Sequence, residues 1–364
     1  MLNHCFNVRS FLLRAALISG LGLTTHATAQ LPSFSFLVDL NSETVTALGN
    51  ADVTDLNDAG QVVGAFSTAE GATHAFMTGP DGVGMRDLGT LGGGRSRATG
   101  INEAGQVVGE STTSAGTVHA FITGPDGIGM RDLGTLEGEY SYATTINDAG
   151  QVAGYSTGAG GGYYHAFVTG SDGAGMRDLG TVGGDSSGDI IPLDINNSGQ
   201  VVGYYYLTQG GPIDIRHGFI TGPDGVGMRD LSATAAFSIN DAGQVMGESL
   251  SGLPFITGAD GMGMRDLETL DYGFDMNNAG QVAGTSLGGE NSSVSVTGPN
   301  GEGIVDLDWL DLPQGLSPHA AFGINDTGQI IVVASAVPEP ETYALLLAGL
   351  SLIGFMARRK RLLA

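Results

Sequence analysis

The chain has a single cysteine, Cys5, and it sits in an N-terminal stretch that reads as a removable leader. The mature chain therefore has no thiol, no disulfide and no cysteine-based metal site, and its stability must come from strand pairing and packing. Lysine is absent between Gln30 and Glu341, a span that holds eight arginines against all 38 acidic residues, for a net charge of −30. A body this acidic repels phosphate backbones, which argues against nucleic acid as a partner and for solubility with loose cation association. Long apolar runs occur only at the ends, Ala15–Leu23 and Tyr343–Ala357. G-x-S-x-G, H-E-x-x-H and P-loop patterns are missing, and Gly127-x-Gly129 is too short for a dinucleotide fingerprint.

What the chain has in abundance is glycine, 62 of 364 residues, and most of it falls in a repeat. A Gly-Gln pair recurs at Gly60, Gly105, Gly150, Gly199, Gly243, Gly280 and Gly328, at spacings of 45, 45, 49, 44, 37 and 48 residues. An Asn stands three residues earlier each time, from Asn57 to Asn325. The clearest unit, His119–Gly154, reads as strand (HAFIT), turn (GPDG), imperfectly alternating strand (GMRDLGTL), strand (ATTI), turn (NDAG) and strand. Pro125 and Gly127 suit the second and fourth positions of a type I turn. Asn147 and Gly150 suit a hairpin turn with a G1 bulge. Each unit is thus about four short strands without a helix, and the units phase at roughly 31–69, 70–114, 115–159, 160–212, 213–250, 251–288 and 289–336.

A period near 45 with four strands matches a propeller blade, so the expected fold is all-β, a seven-unit β-propeller-like ring over residues 30–336. The alternative is a parallel β-helix or other open β-solenoid. Hairpin chemistry between successive strands and the lack of a polar capping module favour the ring.

The ends read as addresses. Residues 1–29 have Arg9 and Arg14, then the apolar run, then Ala27-Thr28-Ala29, which is the order of a secretory signal peptide cut by signal peptidase after Ala29. Residues 337–364 carry Val337-Pro338-Glu339-Pro340-Glu341-Thr342, a short apolar run and Arg358-Arg359-Lys360-Arg361. Pro338 and Pro340 keep their segment extended and accessible, the apolar run makes a short transmembrane helix, and the four basic residues hold its end in the cytoplasm.

The repeat HAF-x-TGPDG-x-GMRDLGTL…IN-x-x-GQVVG resembles the bacterial extracellular HAF repeat, with the tripeptide at His74, His119 and His165. Later copies drift, to His217-Gly218-Phe219, Leu253-Pro254-Phe255 and Ser293-Val294-Ser295. The tail with Pro338, Glu339 and Pro340 is similar to the PEP-CTERM sorting signal of Gram-negative bacteria, which implies recognition by an exosortase. Together the resemblances imply an exported protein, transiently anchored in the inner membrane and sorted to the envelope or outer surface. They suggest a structural, adhesive or binding role in biofilm or exopolysaccharide, without enzymatic activity.

Candidate chemistry is diffuse. His74, His119, His165 and His217 share one repeat position, for which a side chain bonded to a neighbouring strand or blade is expected in place of an axial metal cluster. Arg86, Arg131, Arg177, Arg229 and Arg265 each precede an Asp (Asp87, Asp132, Asp178, Asp230, Asp266), which reads as a solvated strand face. Asp55-x-Asn57-x-x-Gly60 and its equivalents at Asp194 and Asp275 partly resemble a calcium loop but read better as turns; no cofactor is expected, with a calcium-dependent adhesion module left open. An enzyme acting on extracellular polysaccharide would show as acids that break the repeat and gather at one mouth. Candidates are Asp185, Asp189, Asp194 and Asp214, and Asp306, Asp308 and Asp311.

Overall fold

A computed structural model describes residues 33–160, 162–182, 188–207, 215–287, 292–307, 309–313 and 315–336. The chain divides into Met1–Leu31, which lies outside these residues, and Pro32–Ala364. Within the latter, strands succeed one another in antiparallel four-stranded units and no α-helix occurs among the described residues. The C-terminal apolar run also lies outside them; among the described residues no helix is long and apolar enough to cross a membrane.

The units are seven blades. Blades I to VI occupy residues 52–89, 92–134, 141–178, 190–230, 235–266 and 272–306. Blade VII takes its inner strands, Leu316–Ile324 and Gln329–Ala336, from one end of the chain and its outer strands, Ser33–Asp39 and Thr44–Gly49, from the other. Ser33–Asp39 pairs with Gln329–Ala336 from Ser33 opposite Ser335 to Asp39 opposite Gln329. The ring is closed by strands from both ends. Blades I and II are additionally joined by one parallel pair, Thr73 with Arg95.

The sequence unit and the blade are out of phase. The unit His119–Gly154 contributes the outer two strands of blade II and the inner two of blade III, so each repeat bridges a blade junction. The phasing read from sequence is a circular permutation of the structural one. Periodicity cannot distinguish the two, because the short linkers within and between blades carry the same Gly and polar residues.

Packing follows from the repeat. Phe76, Phe121, Phe167, Phe219 and Phe255 are fully buried, and each packs with apolar residues of its own and an adjacent blade. Full burial of such a ring contributes roughly 1.5–3 kcal/mol. The second Gly of each GQVVG-type strand has a separate cause: a Cβ on Gly154 would lie 2.2 Å from the Tyr142 carbonyl oxygen and 2.6 Å from Phe167 Cζ. Opposite it the innermost strand bulges, the register slipping between Ala143 and Thr145. The bulged Thr99 and Thr54 use their hydroxyls to reach carbonyls of the next blade, Ala143 and Ala98, at 3.0 and 3.1 Å.

The GPDG segment departs from the type I expectation. Asp81, Asp126, Asp172, Asp224 and Asp260 all sit at φ between 52° and 57°, and Asn300 at 54°. A type I turn has negative φ at both central residues, whereas Asp and Asn tolerate the left-handed region through local hydrogen bonding.

Candidate functional site

Where the innermost strands end, the seven repeat asparagines form a hydrogen-bonded circle. Asn57 Nδ2 donates to the Asn102 carbonyl, Asn102 to Asn147, Asn147 to Asn196, Asn196 to Asn240, Asn240 to Asn277, Asn277 to Asn325, and Asn325 back to Asn57, at 2.9–3.4 Å. Each side chain also closes its own hairpin: Asn147 Oδ1 accepts the Gln151 N–H and its Nδ2 donates to Gln151 Oε1, at 2.9 and 2.8 Å. This explains why Asn and Gln recur four residues apart.

The next residue builds a second circle. The side-chain oxygens of Glu103, Asp148, Asn197, Asp241, Asn278, Asp326 and Asp58 each accept the backbone N–H of the equivalent residue one blade earlier, at 2.7–3.0 Å. These residues frame an axial mouth of about 220 Å³, floored by Leu56, Ile101, Ile146, Ile195, Ile239, Met276 and Ile324. Five carboxylates share the rim, and Asn197 offsets two of them by donating to Asp148 and Asp241 at 2.8 and 3.0 Å. Burial first, and the charges of neighbouring acids second, push the Asp58 and Glu103 carboxyls up, against backbone N–H bonds that hold them down. The rim is an array of acceptors, suited to hydroxyl or cationic groups. Sequence reasoning missed it, although an acid or Asn follows the repeat Asn at every one of the seven positions.

Below the mouth the axis is lined by the residue two before each Asn: Asp55, Gly100, Thr145, Asp194, Ser238, Asp275 and Gly323. The three acids are half-buried. Burial raises all three carboxyls, Asp194 to about 7 and Asp55 well above the ordinary range, and the charge of Asp275 adds to both. Asp194 accepts the N–H groups of Ile195 and Ile239 at 2.8 Å and the hydroxyls of Thr145 and Ser238 at 3.3 and 3.2 Å. Ser238 also donates to Asp275 at 3.0 Å. These carboxylates staple one innermost strand to the next. The Asp-x-Asn-x-x-Gly segments are therefore bulge and hairpin chemistry, and among the described residues no group of three His, Cys, Asp or Glu can hold a metal.

The recurrent charged residues have scaffold roles. His74, His119, His165 and His217 bond through Nδ1 to Asp87, Asp132, Asp178 and Asp230 on the adjacent outermost strand, at 2.8–3.2 Å. The arginines are exposed, as a solvated strand face requires, and they also bridge blades. Arg86, Arg131, Arg177, Arg229 and Arg265 each donate to the carbonyl of the left-handed Asp or Asn in the next blade's turn, at 2.7 Å for Arg265 with Asn300. Alternation along the strand sends Asp to its own blade and Arg to the neighbour.

Among the described residues the repeat-breaking acids Asp189 and Asp194 lie apart. Asp194 lines the axis, whereas Asp189, at the other end of the same strand, accepts the Tyr164 N–H at 2.8 Å. Asp185, Asp214 and Asp308, and the side chain of Asp306, lie outside the described residues, as do Ala27, Ala29, Pro338, Glu339, Pro340, Arg358, Arg359, Lys360 and Arg361.

Comparison with known proteins bears on the tail and the fold. Residues 336–361 match the PEP-CTERM protein-sorting motif, which implies export with transient membrane anchoring before processing by an exosortase. No curated protein matches the chain. The structure is similar to the β-propeller domain of the Trilobed protease from Pyrococcus furiosus, a propeller of open velcro topology, with a TM-score of 0.52 and 10% identity over 79% of this chain and 92% of that one. It is also similar to puromycin hydrolase, with a TM-score of 0.51 and 13% identity over 79% of this chain and 50% of that one. A putative TolB from Agrobacterium tumefaciens aligns over 85% of this chain and all of that one, at a TM-score of 0.45 and 12% identity. At these identities the likeness is one of fold: the chain is a β-propeller carrying a C-terminal PEP-CTERM sorting motif.

Proposed function

We propose that the protein is a non-enzymatic surface module of the HAF-repeat type, exported, processed by an exosortase and retained in the outer envelope or its exopolysaccharide matrix, where the propeller binds or cross-links. The observation that carries this reading is the joining of a sorting motif at 336–361 to a propeller whose repeat-breaking axial carboxylates are bonded into the scaffold. A carboxylate acting as acid or base needs an oxygen lone pair to meet substrate, and each Asp194 oxygen already accepts one backbone N–H and one hydroxyl. The acceptor-lined mouth and the acidic body suit reversible contact with hydroxyl-rich material better than bond cleavage. Cell fractionation tests the proposal. The full chain should appear in the envelope or surface fraction, and a chain lacking Val337–Ala364 should be lost from it. Equal retention of both would refute sorting through the tail.

A further inference from the structure

Aromatic residues are segregated in this ring. The repeat phenylalanines are buried in the core, whereas eight of the chain's ten tyrosines belong to blades III and IV: Tyr205, buried and donating its hydroxyl to Asp230, and seven others, Tyr140, Tyr142, Tyr155, Tyr163, Tyr164, Tyr204 and Tyr206. All seven lie toward the face opposite the axial mouth. In each blade the hairpins carrying the Asn and the GPDG-type turn share one end, as the Gly82 N–H bonded to Gly60 illustrates. The hairpin between second and third strands and the link to the next blade share the other, as the bonds Thr157 to Tyr140 and Gly158 to Tyr163 show. The mouth face repeats from blade to blade. The opposite face does not: five residues before the repeat Asn stand Asp52, Arg97, Tyr142, Ile191, Ala235 and Tyr272.

Five of the tyrosines form two ring clusters, one in each blade. Tyr142 stacks on Tyr155 with centroids 5.0 Å apart, and Tyr164 meets both edge-on at 6.1 and 5.1 Å. Tyr204 and Tyr206 meet edge-on at 5.6 Å, and the Arg216 guanidinium lies 5.5 Å from the Tyr204 ring. Asp189 links the two blades' groups, its side chain accepting the Tyr164 N–H at 2.8 Å and its carbonyl the Tyr206 N–H at 3.0 Å. At the rim Tyr140 and Tyr163 expose 38% and 49% of their surface.

We propose that this face of blades III and IV is a binding site for a neutral glycan, with the exposed Tyr140 and Tyr163 at its rim as stacking platforms. Tyrosine presents a flat apolar ring with a polar tip, matching the C–H face and hydroxyl rim of a pyranose. A polyanion is disfavoured by the net charge of −30 between Gln30 and Glu341. A peptide would bind most readily by adding a strand to a sheet edge, and these rings lie on sheet faces and hairpins. The proposal rests on the binding role given above and names its ligand class.

Affinity electrophoresis of the detergent-solubilised full chain, in gels containing hydroxyethyl cellulose, dextran, alginate or poly-L-proline, decides it. The expected result is retardation by at least one of the two neutral glycans, weakened about tenfold or more in Tyr140→Ala/Tyr163→Ala and in the single variant Tyr163→Ala to a lesser degree. Tyr272→Ala, on blade VI, should bind as the unaltered chain does. Retardation by poly-L-proline or alginate alone, no retardation, or undiminished binding by the double variant with an unchanged melting curve would overturn the assignment. Binding is read on purified protein, so its loss leaves the sorting reading intact, and missorting in cells leaves the glycan site intact.

Discussion

Replacing Asp194 by Asn separates a charge held at the propeller axis from the hydrogen bonds that hold it there. Its carboxyl is pushed up from 3.8 to about 7, chiefly by burial and then by Asp275. A shift of about three units corresponds to about 4 kcal/mol favouring the protonated native state, as an upper bound because Asp194 is only half-buried. The folded group holds its proton where the unfolded one has lost it. The stabilisation is therefore complete below about pH 4 and is lost as pH rises toward 7, beyond which the stability curve flattens. Between pH 5 and 8 this one group should lower stability by about 2.5 kcal/mol, on the order of 4 °C in melting midpoint for a domain of this size. Asn removes the charge but turns one acceptor oxygen into a donor. It then faces either the Ile195 or the Ile239 N–H, at a cost of about 1–3 kcal/mol at every pH. The variant should thus be the less stable form at pH 5 and match or exceed the parent at pH 8. Urea or thermal melts at pH 5, 6, 7 and 8 would show it. Parallel profiles for the two proteins would refute the argument, because the acidic surface is common to both and losing the Asp194 charge eases ionisation of Asp55, which flattens the variant's profile further.

The remaining perturbations test the ring and the bulge. Asn147→Ala deletes a donor to Asn196 and Gln151 and an acceptor for the Gln151 N–H, all buried or partly so, and should lower the urea-unfolding free energy by about 3 kcal/mol. Gly154→Ala places a methyl 2.2 Å from the Tyr142 carbonyl and should cost about 3 kcal/mol or more by the same measurement, against well under 1 kcal/mol for Gly116→Asn, whose Cβ position is open and whose φ of 88° Asn tolerates.

Much of the fold was legible because each motif residue answers one local requirement. The Gly of each Gly-Gln pair sits at positive φ, and the Asn before it bonds its own hairpin, as turn chemistry predicts. Two things escaped for physical reasons. The glycines of the GQVVG-type strands look like further turn residues, yet they answer a carbonyl on the neighbouring strand, a contact invisible without register. The arginines alternate with Asp as exposed pairs do, and only the ring's closure brings a turn carbonyl from the next blade within reach. The candidate site divides likewise. The His–Asp pairs lie within one blade and follow from strand adjacency, whereas the acidic rim exists only once seven blades share an axis.

The permutation between repeat and blade also constrains where the tail can be cut. The first outer strands, Ser33–Gly49, have no inner partners until Gln329–Ala336 arrives, and Ala336 is also the first residue of the sorting motif. The closing strand carries Ile330, Ile331, Val332 and Val333, all buried, whose burial contributes roughly 10 kcal/mol before ordering costs. That is comparable with the whole net stability of a typical domain. Ending the chain after Ala336 should leave the cooperative melt in place. Ending it after Gly328 should abolish that melt or shift it far below, because blade VII loses its second strand and Ser33–Asp39 loses its ladder. Matching melts for the two truncations would mean that the ring does not depend on closure between its ends. If they differ as expected, processing must fall beyond Ala336, and the sorting tail joins the body at the strand on which the ring depends.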